Sequence, residues 1–118
     1  MIIKRVREFA AAHRLTGFPE DHKCYNMHGH NWRVEVSCAG EVDSDTGCVV
    51  DFGKIDQIID ELDHCYLNDV DGLEIPTCEN VSIWIFRHLA DALTCEVRSV
   101  KVWETDNGCA IYKGESDG

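Results

Sequence analysis

Apolar and polar residues alternate over residues 28–39, where Trp32, Val34 and Val36 interleave with Arg33, Glu35 and Ser37. A period of two marks a strand buried on one face. Residues 2–14 carry a looser version of the pattern. Ile2, Ile3, Val6 and Phe9 stand among charges, and Ala10, Ala11 and Ala12 then lead to His13 and Arg14. This predicts another strand, with a bulge or bend where the alternation breaks. Between the two, residues 17–24 hold Pro19 and a Glu-Asp-His-Lys cluster and read as a loop.

After residue 39 the period changes. Gly40 to Gly47 reads as a turn and Asp51 as an N-cap. Phe52, Ile55, Ile58, Ile59 and Leu62 then recur at helical spacing, predicting a helix that ends near Asp63-His64. Residues 65–76 read as loop. Thr77 can cap a second helix, with Glu79 near its positive end and an apolar stripe from Val81 to Leu93. Val97, Val100, Val102 and Trp103 predict a third strand, Asn107-Gly108 a hairpin turn, residues 110–113 a fourth strand and residues 115–118 a loose tail. The order β-β-α-α-β-β, with short connections inside each strand pair, predicts an α+β domain: an antiparallel sheet with both helices on one face.

Composition narrows the function classes. At 118 residues the chain is expected to form a single domain, residues 1–118. No apolar run approaches bilayer-spanning length, and Met1-Ile2-Ile3-Lys4-Arg5 lacks the apolar segment of a signal peptide, so a cytoplasmic protein without a membrane partner is expected. The seven cysteines are odd in number, scattered and free of any C-x-x-C pair. Reduced thiols are the expectation, not a disulfide framework or a zinc ribbon. A net charge of −11 argues against a nucleic-acid partner. The charge is uneven, however. Residues 1–33 carry six bases against three acids and residues 34–118 five against nineteen, so a small anion would be drawn to the N-terminal third.

The candidate chemistry lies in that third. If a strand starts at His28, His28 and His30 point to one face, and His13 sits on what is predicted to be a neighbouring strand. Three neutral imidazoles with an open fourth position suit a catalytic zinc ion; the other reading is three polar histidines that never meet. Cys24, four residues before His28, has three readings. It is a thiolate base or nucleophile stabilised by Lys23 and the cation, a fourth ligand that closes the site, or an inert thiol. Asp63-His64 has the wiring of a proton donor, or is an ordinary polar helix terminus. Glu104, beside Thr105 at a strand end, can accept two parallel hydrogen bonds from an amidine-like heterocycle edge, or is a solvated charge.

Taken together, Ala11-Ala12-His13-Arg14-Leu15, Cys24-x3-His28-Gly29-His30-Asn31, Asp51-Phe52, Leu62-Asp63-His64-x2-Leu67-Asn68, Pro76-Thr77-x-Glu79-Asn80 and Glu104-Thr105 occur in the order and spacing of a known family. The chain resembles the 6-pyruvoyltetrahydropterin synthase family over essentially its whole length. Its short length, Asp21-His22-Lys23-Cys24 and residues 111–115 are most similar to the bacterial queuosine-pathway branch. The resemblance implies a tunnelling fold, in which trimers form a continuous β-barrel and stack into hexamers with active sites between subunits. It implies zinc on His13, His28 and His30, Cys24 as general base, Asp63 and His64 as a proton relay, and Glu104 as the anchor of the pterin ring, with Thr105 beside it. The implied substrate is 7,8-dihydroneopterin triphosphate. For the queuosine branch the implied products are 6-carboxy-5,6,7,8-tetrahydropterin, acetaldehyde and triphosphate; the alternative within the family is a 6-pyruvoyl product. A third reading, of another class, is a non-catalytic zinc protein in which Cys24 completes the tetrahedron. Arg14 and Lys23 are assigned to the triphosphate on charge alone.

Overall fold

The computed structural model describes residues 1–115; residues 116–118 of the expected tail lie outside that range. Five strands and two helices follow one another: β1 (Ile2–His13), β2 (His28–Ala39), α1 (Phe52–Asp60), β3 (Cys65–Tyr66), α2 (Cys78–Ala92), β4 (Glu96–Thr105) and β5 (Gly108–Tyr112). They build one sheet in the order β3-β1-β2-β4-β5. The expected β-β-α-α-β-β frame is present with one addition. Cys65 and Tyr66, within the stretch read as loop, pair parallel to Ala11 and Ala12. Two residues are too few to leave a period in a sequence. Every other pairing is antiparallel.

β1 and β2 pair over twelve residues with no register shift, from Ile2 opposite Ala39 to His13 opposite His28. The bulge expected in β1 is therefore not there; shifts fall instead between Ser37 and Cys38 and between Trp103 and Thr105. The alternation in β1 only looks broken. Phe9, Ala11 and His13 continue the buried face, while Ala10 and Ala12 are small residues on the other one.

The core lies between the sheet and the helices. Phe9, Trp32, Val34, Val36, Val100 and Val102 from the strands meet Ile55 and Ile59 of α1 and Val81, Ile85 and Leu89 of α2. Each such side chain stabilises the fold by about 2 kcal/mol through apolar burial. The Asp51 carboxylate caps α1 by accepting the Gly53 amide at 2.8 Å. α1 ends at Asp60, earlier than expected, because the Leu62 and Asp63 amides tighten onto the Ile59 and Asp60 carbonyls. His64 then takes the left-handed region at φ 57° and donates its amide to the Ala10 carbonyl. Among the described residues, no helix is long and apolar enough to cross a membrane.

One ionic network pins α1 to β1. Arg5 donates to both oxygens of Asp56, at 2.9 and 2.6 Å, and Arg7 bridges Asp56 at 2.9 Å and Asp60 at 2.7 Å. The Arg5 hydrogen bonds, helped by Arg7, hold the Asp56 carboxyl below its ordinary pKa. A depressed carboxylate contributes stability above its unfolded pKa and loses it as pH falls through the folded value. Asp56→Asn is therefore expected to lower the Tm by a few degrees, roughly, at neutral pH. In thermal unfolding measured across pH, the gap to the parent protein should close as pH falls below about 4.

Candidate metal centre

Three adjacent strands deliver the donors. His13 ends β1 and His28 begins β2, and the register sets them opposite each other. His30 lies two residues along β2 and shares the face of His28. β4 runs beside β2 and carries Glu104 one residue from its end. Beneath them lies Trp32, fully buried, whose indole ring meets the His13 and His30 rings edge-on at 4.9 and 5.9 Å and donates its N–H to the Ala11 carbonyl.

The ring nitrogens are set by their outer partners. His13, wholly buried, donates Nδ1–H to the Pro76 carbonyl at 2.8 Å, and His28 donates Nδ1–H to the Asn26 carbonyl at 2.7 Å. A carbonyl only accepts, so each ring carries a proton on Nδ1 and, as a neutral imidazole, turns its Nε2 lone pair inward. Those two Nε2 atoms stand 3.0 Å apart. Glu104 Oε1 lies 2.7 Å from His13 Nε2, 3.0 Å from His30 Nε2 and 3.8 Å from His28 Nε2. His30 Nε2 is buried without a hydrogen bond, its approach to Glu104 being close but poorly aligned. Burial holds the His30 imidazole below its ordinary pKa despite the opposing pull of Glu104.

Acceptors thus face acceptors. All four donor atoms lie within 4.8 Å of one another. Such a cluster repels itself unless a proton or a cation sits within it. A cation held about 2.0–2.1 Å from each nitrogen needs donor atoms a few ångströms apart, as these are. The residues fit a divalent metal ion.

Beside the cluster is a cavity of about 470 Å³ lined by Lys23, Cys24, His28, His30, Glu104 and Thr105. Cys24 shares the cavity without joining the donor group. The fourth donor next to the imidazoles is Glu104, which weighs against a tetrahedron closed by the thiol. The other cysteines are free as well. Burial pushes the Cys38 thiol, beside Cys95, up to about 12, and burial with the Glu79 carboxylate does the same to Cys78.

The sequence matches the 6-pyruvoyl tetrahydropterin synthase profile over residues 2–115. The chain belongs to the 6-pyruvoyl tetrahydropterin synthase family. It is 39% identical over 120 residues to a 6-carboxy-5,6,7,8-tetrahydropterin synthase of Synechocystis sp., covering 94% of this chain and 92% of that one. It is 37% identical to human 6-pyruvoyl tetrahydrobiopterin synthase, covering 96% and 91%. The structure of Caenorhabditis elegans 6-pyruvoyl tetrahydropterin synthase superposes with a TM-score of 0.82 at 32% identity, covering 98% of this chain and 96% of that one.

Not every candidate gathers at this cluster. Arg14 is not among the residues lining the cavity. Its Nε donates to the Tyr25 carbonyl at 2.9 Å and its guanidinium lies over the Tyr25 ring at 4.4 Å, so it braces the loop that carries Cys24. Asp63 and His64 stand at the other side of β1, beside Ala10, about 10 Å along the strand from His13. Asp63 Oδ1 accepts the Ala10 amide at 2.9 Å and lies 3.1 Å from His64 Nδ1. The Ala10 amide, then His64, hold the Asp63 carboxyl below its ordinary pKa. His64 is 83% exposed and lines an open groove of about 600 Å³ with Tyr66, Asn31 and the small residues Ala10, Ala12 and Gly29.

Two supports escape a reading of the sequence by chemistry alone. The Pro76 and Asn26 carbonyls fix imidazole tautomers, and backbone oxygens have no residue-type signature. Asn68 is the other. Its side chain accepts the Arg14 amide at 2.9 Å and returns a hydrogen bond to the Arg14 carbonyl at 2.8 Å, extending the ladder of β1 just past His13. Asn68→Ala is expected to leave the protein folded and to weaken metal binding about tenfold, measured by titration with a chromophoric chelator.

Proposed function

We propose that the protein is a zinc-dependent lyase. It converts 7,8-dihydroneopterin triphosphate and water to 6-carboxy-5,6,7,8-tetrahydropterin, acetaldehyde and triphosphate, a step toward queuosine-type 7-deazapurines. The observation that carries the reading is the self-repelling cluster of His13, His28, His30 and Glu104 beside a free thiol that is not part of it. The resemblance to the Synechocystis relative supports the choice of product.

His13, His28 and His30 would hold zinc, which when bound supplies a Lewis acid for the substrate's side-chain hydroxyls. Cys24, in the cavity wall, takes a proton from a side-chain carbon. Glu104 is 29% exposed and one oxygen already lies among the imidazoles; its carboxylate, with Thr105 beside it, receives the amidine-like edge of the pterin. Lys23, which lines the cavity, meets a phosphate of the substrate, while Arg14 acts on the site through Tyr25. Asp63 and His64 return the proton. Their place on the β3 side of the sheet suits service to the site of a neighbouring copy, reached when the edge strands β3 and β5 of successive copies pair into a barrel trimer, two of which stack as a hexamer.

A second reading rests on the comparable identity to the human relative: a 6-pyruvoyl product formed by triphosphate elimination with all side-chain carbons retained. Incubation with dihydroneopterin triphosphate separates the two. Acetaldehyde is expected; a 6-pyruvoyl product without acetaldehyde would establish the second reading instead. Cys24→Ala is expected to keep its zinc and to lose roughly 10²–10⁴ in turnover. Loss of the metal in that variant, read by elemental analysis, would point to a thiol-ligated structural site. Glu104→Gln is expected to retain zinc on the three imidazoles and to raise KM, since a neutral amide accepts more weakly from the pterin N–H edge than a carboxylate does.

A further inference from the structure

We infer that His22 is a positioning residue for Cys24, setting the angle at which the thiol enters the cavity through a side-chain cap that only an acceptor at one position can make. The inference rests on the reading of Cys24 as the base. The loop that carries Cys24 is a chain of tight turns: the Phe18 amide donates to the Leu15 carbonyl, the His22 amide to Pro19 and the Tyr25 amide to His22. The last of these closes a single 3₁₀ turn, Lys23–Tyr25. Such a turn holds poorly by itself, having few internal hydrogen bonds. Two further contacts hold it. The Leu15 amide reaches across the loop to the Cys24 carbonyl at 2.8 Å. From the other side, the Cys24 amide donates to His22 Nδ1 at 3.0 Å. Both backbone groups of Cys24 are therefore tied, one by the opposite arm of the loop and one by the His22 ring.

His22 occupies the cap position with extended backbone, φ −76° and ψ 138°, where Ser, Asp or Asn is the usual occupant. Its Nδ1 stands where an Asn side chain would place its oxygen. The ring cannot swing freely, because Phe18 stacks on it with ring centroids 4.5 Å apart and planes 25° off parallel. This contact also accounts for Phe18, an aromatic 41% exposed on a surface loop. The imidazole is held by Phe18 and in turn holds Cys24. His22 lies outside the donor cluster and does not line the cavity, so its effect on the reaction passes through the thiol.

Geometry dictates the test. His22→Asn keeps an acceptor at the same distance from the backbone. His22→Gln moves it one bond outward, where it overshoots the Cys24 amide. His22→Ala removes it. Zinc content and KM are expected to stay within about twofold of the parent in all three, since neither the ligands nor the pterin anchor is touched. His22→Asn should retain kcat, while His22→Gln and His22→Ala lose about fivefold, the equilibrium factor of one lost cap. Iodoacetamide labelling of Cys24, followed by mass spectrometry of its peptide, should rise about threefold in the Gln and Ala variants, as the half-buried thiol swings out, and stay at the parent rate in the Asn variant. Parent-like labelling and kcat in His22→Gln, or equal losses in the Asn and Gln variants, would overturn the inference. The Asn–Gln comparison decides the matter even if His22→Ala fails to fold. If Cys24→Ala retained full turnover, the reading of Cys24 as base would fall by itself, and the labelling pattern would still report on the cap.

Discussion

Lone pairs that face one another dominate this molecule. Two carbonyls hold protons on the outer nitrogens of His13 and His28, so in the neutral rings two Nε2 lone pairs stand 3.0 Å apart with a carboxylate oxygen against them. No arrangement of neutral partners satisfies three acceptors at that spacing. The fold tolerates it because the strands on which the ligands sit are over-determined: twelve uninterrupted pairs join β1 to β2, and Trp32 packs beneath the rings. Local repulsion is thus borne by a large amount of ordinary sheet and core. The donor atoms are already gathered where a cation could be held.

The outer supports are mostly backbone atoms, and this explains what was legible in the sequence. Periodicity was enough for β2, for both helices and for the frame of the sheet, because burial against one face imposes its period on the residues. It failed on Ala10 and Ala12, where small side chains on the open face erased the contrast between the two sides of β1. It also failed on Cys65-Tyr66, which is too short to have a period, and on the end of α1, where the left-handed turn at His64 follows from tertiary pairing with Ala10.

The grouping of the candidate residues was legible where strand spacing dictates which side chains share a face. His13, His28 and His30 converge as their spacing and register require, and Cys24 shares their cavity without joining them. Glu104 was read as a carboxylate for a heterocycle or a solvated charge, and the structure sets its oxygen among the imidazoles, an intimacy of β4 with β1 and β2 that no local pattern encodes. Arg14 was read by its charge, yet its guanidinium is turned onto Tyr25. Charge marks a region of sequence well and an individual contact poorly, because a long flexible side chain reaches many partners.

The parts of the candidate site sit on elements of different stiffness, and the division suits the role that the proposed function gives each part. Metal ligands need placement to a few tenths of an ångström, and here the three imidazoles ride on the two longest strands of the sheet. A group that moves a proton needs reach as well as position. Cys24 sits on a loop of consecutive tight turns, and Asp63 and His64 sit at a helix exit with the imidazole largely in solvent. Loops of this kind would wander if they were held only by their ends. Here each is fastened by side-chain contacts to backbone: His22 and Arg14 to the loop of Cys24, Asp63 to β1, and Asn68 to the residue that follows His13. Four polar side chains thus do for the irregular segments what strand pairing does for the ligands.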